Sequence, residues 1–226
     1  MRHPVRFPLL LLDLSSVQQP AILRVTPSMR LLLLIAFTLL FTACGSGELP
    51  IPKPRSYPRV MFPAVAYEKI KADYCPFSFD KPVSATMRQE ETFFEETPPD
   101  ECWFDLKLAE GLNGSVHFSY YPINSLAEFE GYRDQAFQLT GKHMERASDI
   151  EEIVINRPDA RVHGIAFDVA GPAASPFQFF LTDSTRHFLR GALYFDAVVN
   201  PDSIAPIAAF AKEDIFRLVE TFAWEK

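Results

Sequence analysis

An apolar hairpin near the C-terminus constrains the fold of this sequence more than any other stretch. Residues 176–182 and 186–198 are two runs typical of β-strands, and the polar residues 183–185 between them predict the turn. Large apolar side chains occupy both faces of the hairpin, with Phe179 on one face and Phe180 on the other. Because a strand that is apolar on both sides must be covered on both, we expect the hairpin to lie centrally in a sheet.

Shorter alternations of apolar and polar residues predict the other strands. They span residues 75–80, 102–108, 115–121, 150–156 and 161–169. Asn113-Gly114 separates two of these strands, and because both residues tolerate a positive φ, the pair predicts a hairpin turn. Residues 84–100 carry five acidic residues and two adjacent prolines, which favours a solvated loop or a short acidic helix.

Two segments have the apolar spacing of amphipathic helices. The first runs from about residue 125 to residue 145 and begins with a capping box formed by Ser125 and Glu128. The second spans residues 203–223, with Ser203 as its predicted cap and Pro206 in its first turn. The predicted buried faces contain Leu126, Phe129, Ala136, Phe137 and Thr140 on the first helix, and Ile204, Ile207, Ala211, Ile215, Leu218, Val219 and Phe222 on the second. The sequence therefore predicts an α+β fold, a single domain with a mostly antiparallel β-sheet and two main helices packed on it.

The N-terminal part contains an uncharged run of 13 residues, 31–43, directly before Cys44. A run of this length is typical of a signal peptide and is shorter than the roughly 20 residues of a transmembrane helix. The small residues before Cys44 resemble the cleavage motif of bacterial lipoproteins, although the motif prefers Leu where Phe41 stands. We therefore predict a lipoprotein signal peptide at residues 29–43 and lipidation of Cys44. The alternative is an ordinary secretory signal followed by an incidental cysteine.

Residues 1–28 do not fit a signal peptide, because four prolines and Asp13 interrupt them. We interpret this segment as an extension upstream of a natural start at Met29, and the alternative is a long but functional basic region of the signal. After cleavage, residues 44–63 would be the lipidated cysteine and a tether, and residues 64–226 the globular domain. The 15 residues 49–63 include five prolines. A proline-rich chain rises about 3.1 Å per residue, so this tether would reach about 45 Å.

Charge restricts the partners of the chain. Cleavage before Cys44 removes four arginines and one aspartate, which leaves 18 basic and 28 acidic residues and a net charge of −10. Such acidity argues against nucleic acid as a partner and against attraction to anionic lipids, so the lipid on Cys44 is the predicted membrane anchor. Lys53, Arg55 and Arg59 make the tether the basic stretch of the chain. We interpret it as a solvated linker, and contact with lipid head groups or an acidic partner is the alternative.

The sequence carries no phosphate-binding loop, dinucleotide fingerprint, HExxH or GxSxG motif, so we predict no catalytic residues, no metal and no cofactor. The four histidines after Cys44 are His117, His143, His163 and His187, far apart in the chain. Asp183, Ser184 and His187 include the residue types of a hydrolase triad. However, neighbouring strand residues point to opposite faces, which favours a polar turn over a catalytic site.

Cys75 and Cys102 remain after Cys44 is assigned to the anchor. In an oxidising envelope they predict a disulfide that closes 27 residues and contributes roughly 3 kcal/mol. Free or reactive thiols are the alternative, although redox-active pairs usually have CxxC spacing.

Several motifs of the chain resemble those of a known family. They are Tyr57-Pro58-Arg59, residues 75–79, residues 102–104, residues 112–114, the long run 175–195 and residues 201–206. On these motifs, the chain from about residue 54 to residue 224 resembles the gliding-motility lipoprotein GldD family. The resemblance implies an envelope lipoprotein needed for gliding and for type IX protein secretion, and it carries no catalytic residues over.

The resemblance defines the expected function. It implies a non-catalytic accessory or assembly component of the gliding and type IX secretion machinery, in contact with other proteins of that machinery. Cys44 would anchor it at the periplasmic face of the inner or outer membrane. The alternative is an envelope enzyme or ligand-binding lipoprotein that acts on cell-wall or exported material.

Overall fold

The computed structural model describes residues 27–42, 59–90, 97–197 and 200–225. The chain divides into two units, residues 1–55 and residues 56–226. In the first unit, helix α1 spans Pro27–Thr42 and so includes most of the predicted signal peptide. Exposed apolar residues point to every side of this helix, namely Met29, Leu31, Leu32, Leu34, Ile35 and Phe37. Among the described residues, no helix is both long and apolar enough to span a membrane.

The second unit is an α+β domain, as predicted, and its strand pairs are antiparallel. Its elements are β1 Tyr67–Lys71, β2 Phe77–Pro82, β3 Thr86–Gln89, β4 Phe104–Lys107, β5 Gly114–Pro122, α2 Leu126–Gly141, β6 Asp149–Arg157, β7 Val162–Ala170, β8 Phe177–Thr182, β9 His187–Phe195, α3 Pro201–Thr221 and β10 Ala223–Trp224. A seven-stranded sheet has the order β3-β4-β5-β9-β8-β7-β6, and a smaller sheet has the order β1-β2-β10. Helix α2 packs against β8 and β9, and α3 packs against β2.

The predicted central hairpin is confirmed as β8 and β9. All six residues of β8 are buried. Phe179 belongs to the core on one side of the sheet, and Phe180 belongs to the core on the other side. Gly191 of β9 lies opposite Phe179, and a Cβ at position 191 would lie only 2.3 Å from the Phe179 ring. The ring therefore needs a glycine on the neighbouring strand.

Two apolar cores stabilise the domain. The first core lies between one face of the seven-stranded sheet and a layer made of α3 and the smaller sheet. Its largest members include Phe77, Phe79, Phe104, Phe118, Phe179 and Phe222. The rings of Phe104 and Phe118 stack with their centroids 4.5 Å apart. The second core lies under α2 on the opposite face of the sheet, where Phe137 meets Phe167 edge-on at 5.2 Å.

Helix α2 is shorter than predicted, since it ends at Gly141 rather than near residue 145. The Ser125 cap is confirmed, because its Oγ accepts a hydrogen bond from the Glu128 backbone N–H at 3.2 Å. The Glu128 carboxylate accepts from the backbone N–H of Asn124, at 2.8 Å, instead of from that of Ser125. Leu126 is 70% exposed, so its predicted burial is wrong. At the first position of α2, its side chain precedes the part of the helix that contacts the sheet.

Helix α3 begins at Pro201, two residues before the predicted start, with Asn200 as its cap. Ser203 is therefore inside the first turn, where its Oγ donates a hydrogen bond to the carbonyl oxygen of Asn200 at 3.1 Å. Proline suits the first helical position because its φ is already helical and its missing N–H would have no partner there. The earlier start moves Pro206 into the second turn. Ile204 and Ile207, which were predicted in the buried stripe of this helix, are only half-buried.

Residues 84–100 contain a strand that the sequence analysis predicted as loop or helix. Strand β3 is short, its residues are mostly exposed, and it pairs with β4 at one edge of the large sheet. Because most of its side chains are exposed, β3 lacks the apolar alternation that marks a half-buried strand. Strands β1 and β10 were also not predicted. β10 has only two residues, and β1 has mostly exposed side chains.

The connection between β4 and β5 is longer than the two-residue turn that Asn113-Gly114 suggests. It runs over residues 108–113 and has positive φ angles at Gly111 and Asn113, 89° and 48°. Gly114 is already part of β5. A Cβ there would lie 2.7 Å from the Phe195 ring, so close packing is the reason for glycine at this position.

Strand β6 forms an edge of the seven-stranded sheet. It has nine residues, and its Val154 is 76% exposed. Three exposed acidic residues, Asp149, Glu151 and Glu152, occupy its first half. The strand therefore has a charged border along the side where another strand could add.

Candidate functional site

The predicted lipidation site, Cys44, lies outside the described residues, as does most of the predicted tether. The lipidation of this cysteine stays a prediction. The described part of the domain starts at Arg59.

Cys75 and Cys102 are joined by a disulfide. Cys75 lies just before β2 of the smaller sheet and Cys102 just before β4 of the large sheet, so the bond links the two sheets at the first core. Both residues are buried, with Cys102 fully inaccessible. The Asp100 carboxylate accepts a hydrogen bond from the Cys102 backbone N–H at 2.8 Å. This environment fits a structural bridge rather than an accessible redox pair.

Asp183, Ser184 and His187 form a polar turn, as predicted. Oδ1 of Asp183 accepts hydrogen bonds from the backbone N–H groups of Thr185, Arg186 and His187 at 3.0, 2.7 and 2.9 Å. Burial alone would raise the pKa of Asp183, but these three bonds outweigh it and hold the pKa at about 2. The carboxylate therefore closes the turn between β8 and β9 and does not orient a histidine.

A polar cluster that the sequence analysis did not identify lies on β4 and β5. It consists of Asp105, Lys107, Ser115 and His117, which point away from the first core. Asp105 is the cross-strand neighbour of His117, and Lys107 is the neighbour of Ser115. The Asp105 side chain is only 4% exposed, whereas that of His117 is 45% exposed. The cluster therefore combines a buried carboxylate with an accessible imidazole.

Each carboxylate oxygen of Asp105 contacts a basic side chain. Its Oδ1 faces Nδ1 of His117, and its Oδ2 lies 3.1 Å from Nζ of Lys107. Burial would raise the pKa of Asp105, but hydrogen bonds from His117 and Lys107 outweigh it and the pKa lies below its ordinary value. Burial and a hydrogen bond to Asp105 raise the pKa of Glu90, just after β3. The two carboxyl groups therefore differ in their affinity for a proton, as is common at functional sites.

The second imidazole nitrogen of the cluster faces a hydroxyl group. Nε2 of His117 lies 3.5 Å from Oγ of Ser115, in the order serine, histidine, aspartate that hydrolases use. Ser115, however, is only 3% exposed and lies in mid-sheet between β4 and β9. Its backbone is committed to strand pairing, so it does not form the donor pair that stabilises an oxyanion. The accessible groups of the cluster are the His117 imidazole and the Lys107 amine, which can bind a polar group.

The signal for this cluster was present in the sequence. Asp105 and Lys107 alternate with apolar residues on one strand, and Ser115 and His117 do so on the next. The hairpin prediction placed these strands side by side, but the register that pairs Asp105 with His117 depends on the length of the connection. Among the residues that the structure describes, no group of three or more side chains is arranged to hold a metal ion.

A groove of about 520 Å³ lies between α3 and the end of the central strands. Small apolar residues dominate its lining, among them Ala170, Ala173, Ala205, Ala208 and Ala209. Its polar groups include Lys212 and Asp168, which form an ion pair with each other. The groove is therefore a mostly apolar concave surface. The charge of Lys212 in it is already neutralised by Asp168.

Comparison with known proteins assigns the class of the molecule. A family model described as gliding motility lipoprotein GldD matches residues 47–224, which include the whole α+β domain up to β10. This match defines a membrane-anchored lipoprotein of the cell envelope. The chain belongs to the gliding motility lipoprotein GldD family.

The fold also has a partial likeness among solved structures. The solution structure of cyanobacterial PsbP (CyanoP) from Synechocystis sp. PCC 6803 is similar over 72% of this chain and 94% of that chain. The two sequences are 8% identical and the TM-score is 0.43. None of the curated proteins matches this chain.

Proposed function

We propose that this lipoprotein is a non-catalytic accessory or assembly component of the gliding motility and type IX protein secretion machinery. The observation that carries the proposal is the family match over residues 47–224, which begins three residues after Cys44 and includes the whole folded domain.

The proposal includes the anchor. Residues 29–43 are the signal peptide, cleavage leaves Cys44 as the first residue, and acyl chains including palmitate hold the protein at the periplasmic face of a membrane. More than one acyl chain is needed for stable anchoring. The net charge of −10 after cleavage supports an anchor of this kind, because an acidic protein gains little from anionic head groups.

The tether sets how far the domain can act from its anchor. A chain of about 15 residues at about 3.1 Å per residue gives a reach of at most about 45 Å. The partners are therefore other envelope proteins of the motility and secretion apparatus close to the same membrane. An anchored component depends on this position, whereas an enzyme on a diffusible substrate depends on it much less.

Deletion and complementation test the proposal. We expect the deletion strain to lose colony spreading and to retain type IX cargo inside the cell. The wild-type gene should restore both. A version with Cys44→Ser behind an ordinary secretory signal should complement poorly although its domain folds normally. Normal spreading and cargo release in the deletion strain would contradict the proposed role, and full rescue by the untethered domain would favour a soluble activity.

The polar cluster favours a second candidate, an enzyme or ligand-binding lipoprotein acting on cell-wall or exported material. Here His117 is the group to test, because it is exposed and backed by Asp105. The matched control is His163 on β7, whose Nδ1 lies 3.0 Å from Oδ1 of Asn156. Under the accessory role, His117→Ala and His163→Ala should both complement the deletion strain. Loss of gliding with His117→Ala alone, at normal protein levels, would favour the second candidate.

A further inference from the structure

An exposed apolar segment lies where the tether enters the domain. Residues 61–66 read Met-Phe-Pro-Ala-Val-Ala and contain no polar side chain. Met61 is 73% exposed and Val65 is 69% exposed, and the ring of Phe62 is also partly open to solvent. With Val60 the apolar run has seven residues. Such a run would ordinarily be buried in a strand or helix, but residues 60–66 belong to neither.

The domain holds this segment in place. The ring of Phe62 packs against that of Phe210 on α3, with the centroids 4.9 Å apart. The carbonyl oxygen of Ala66 accepts a hydrogen bond from the Val83 backbone N–H at 2.9 Å. Val83 is itself 54% exposed and extends the apolar surface. One side of the segment is thus attached to the domain while the other side faces solvent.

Such a surface indicates an interaction, because contiguous exposed apolar patches on soluble domains usually mark a binding surface. The other exposed large apolar side chains described in this unit are Leu126, Met144 and Val154, which lie on separate elements or loops. Single residues of this kind are normal on a protein surface. The segment at residues 61–66 is therefore distinct from them.

Charge and chain connectivity indicate what this apolar segment contacts. The chain after Cys44 is acidic as a whole, but its basic stretch lies next to this segment. Arg59, which is exposed, stands two residues before Met61, and Lys53 and Arg55 stand further upstream. Basic residues next to apolar ones are the pattern of surfaces that lie at a membrane interface. Arg59 also follows Cys44 by only 15 residues. This segment is thus the part of the folded domain that is covalently nearest to the anchor.

We propose that residues 59–66, together with Val83, form a membrane-contact surface. The side chains of Met61, Val65 and Val83 enter the boundary between the head groups and the acyl chains, Phe62 keeps its contact with Phe210, and Arg59 contacts lipid phosphates. The inference rests on the membrane anchoring included in the proposed function. The tether then limits how far the domain can move, and this surface determines where the domain rests and which side it turns to the bilayer.

Vesicle binding tests the surface without the covalent lipid. The protein is the chain from residue 44 onward with Cys44→Ser, which contains the whole of the unit 56–226. The vesicles are phosphatidylethanolamine with phosphatidylglycerol, at low and at physiological salt. We expect the parent protein to sediment with the vesicles, and Met61→Ser/Val65→Ser to bind at least tenfold more weakly. Both substituted side chains are largely exposed, so the fold should be unchanged.

The matched control is Met144→Ser/Val154→Ser, which removes the same two side-chain types from positions that are 69% and 76% exposed. We expect this variant to bind like the parent. Equal binding by the two double variants would overturn the proposal. So would a parent protein that stays in solution with all vesicles, in which case the apolar segment would belong to a protein interface.

A depth measurement adds a second readout. In Met61→Trp, we expect the fluorescence to shift to shorter wavelength on addition of vesicles and to be quenched by lipids brominated on their acyl chains. Met144→Trp should show neither change, after subtraction of the signal of the parent protein. A Met61→Trp signal that bound vesicles leave unchanged would overturn the proposal. These assays use no motility phenotype, so their failure and a failure of the accessory role are distinguishable.

Discussion

The two faces of the seven-stranded sheet are covered to different extents over β4 and β5. One face meets α3 and the smaller sheet along the first core, where Phe104 and Phe118 stack. The opposite face is covered by α2 over β8 and β9, but over β4 and β5 it carries the polar cluster of Asp105 and His117. Consecutive residues of one strand thus serve different purposes. The residues on one face stabilise the domain, and those on the other face include the solvent-accessible imidazole of His117.

The largest expected effect compares two neighbours on β5. Phe118→Ala should lower the free energy of unfolding by about 3–5 kcal/mol, because it removes a ring from a closed aromatic core. His117→Ala should cost less, about 1–3 kcal/mol, because its own side chain is half-exposed but the buried Asp105 carboxylate loses a hydrogen-bond donor. Urea unfolding of the unlipidated domain measures both values. Similar losses for the two variants would show that the polar face is as important for stability as the first core.

The disulfide tests how much the first-core side of the sheet contributes to stability, since it links the two sheets that enclose this core. Cys75→Ala/Cys102→Ala should lose about 3 kcal/mol, because the unfolded chain is no longer restricted by the bond. The measurement is urea unfolding under oxidising conditions in a Cys44→Ser background. Thiol labelling of the denatured, unreduced parent should tag neither cysteine. A parent protein tagged at both positions would contradict the bridge.

The smallest expected effect concerns the polar face. The folded state raises the pKa of Glu90, so its protonated form contributes stability that is lost as pH rises from the ordinary value of 4.5 through the raised pKa. Glu90→Gln cannot titrate and should therefore become more stable relative to the parent with rising pH, by less than about 1 kcal/mol. Unfolding at pH 4, 6 and 8 measures the difference. A difference that stays constant with pH would mean that Glu90 does not titrate against Asp105.

Sequence patterns predicted the elements of this fold that have strong apolar periodicity. The two-sided apolar hairpin required a central position, and β8 and β9 occupy it. Features that depend on register or on partners were missed. The pairing of Asp105 with His117 is decided by the connection between β4 and β5, and β3 is a strand because β4 provides its hydrogen bonds. The start of α3 was misplaced because Ser203 has the residue type of a cap, whereas Pro201 is better suited to the first turn.

The charged edge of β6 has a consequence for crowding. Copies of a membrane-anchored protein diffuse in two dimensions, so exposed edge strands of neighbouring copies can meet. Parallel pairing of two β6 edges in register would bring the carboxylates of Asp149, Glu151 and Glu152 from both copies together, and such like-charge contacts are unfavourable. This repulsion thus opposes in-register parallel addition of one β6 edge to another between neighbouring copies.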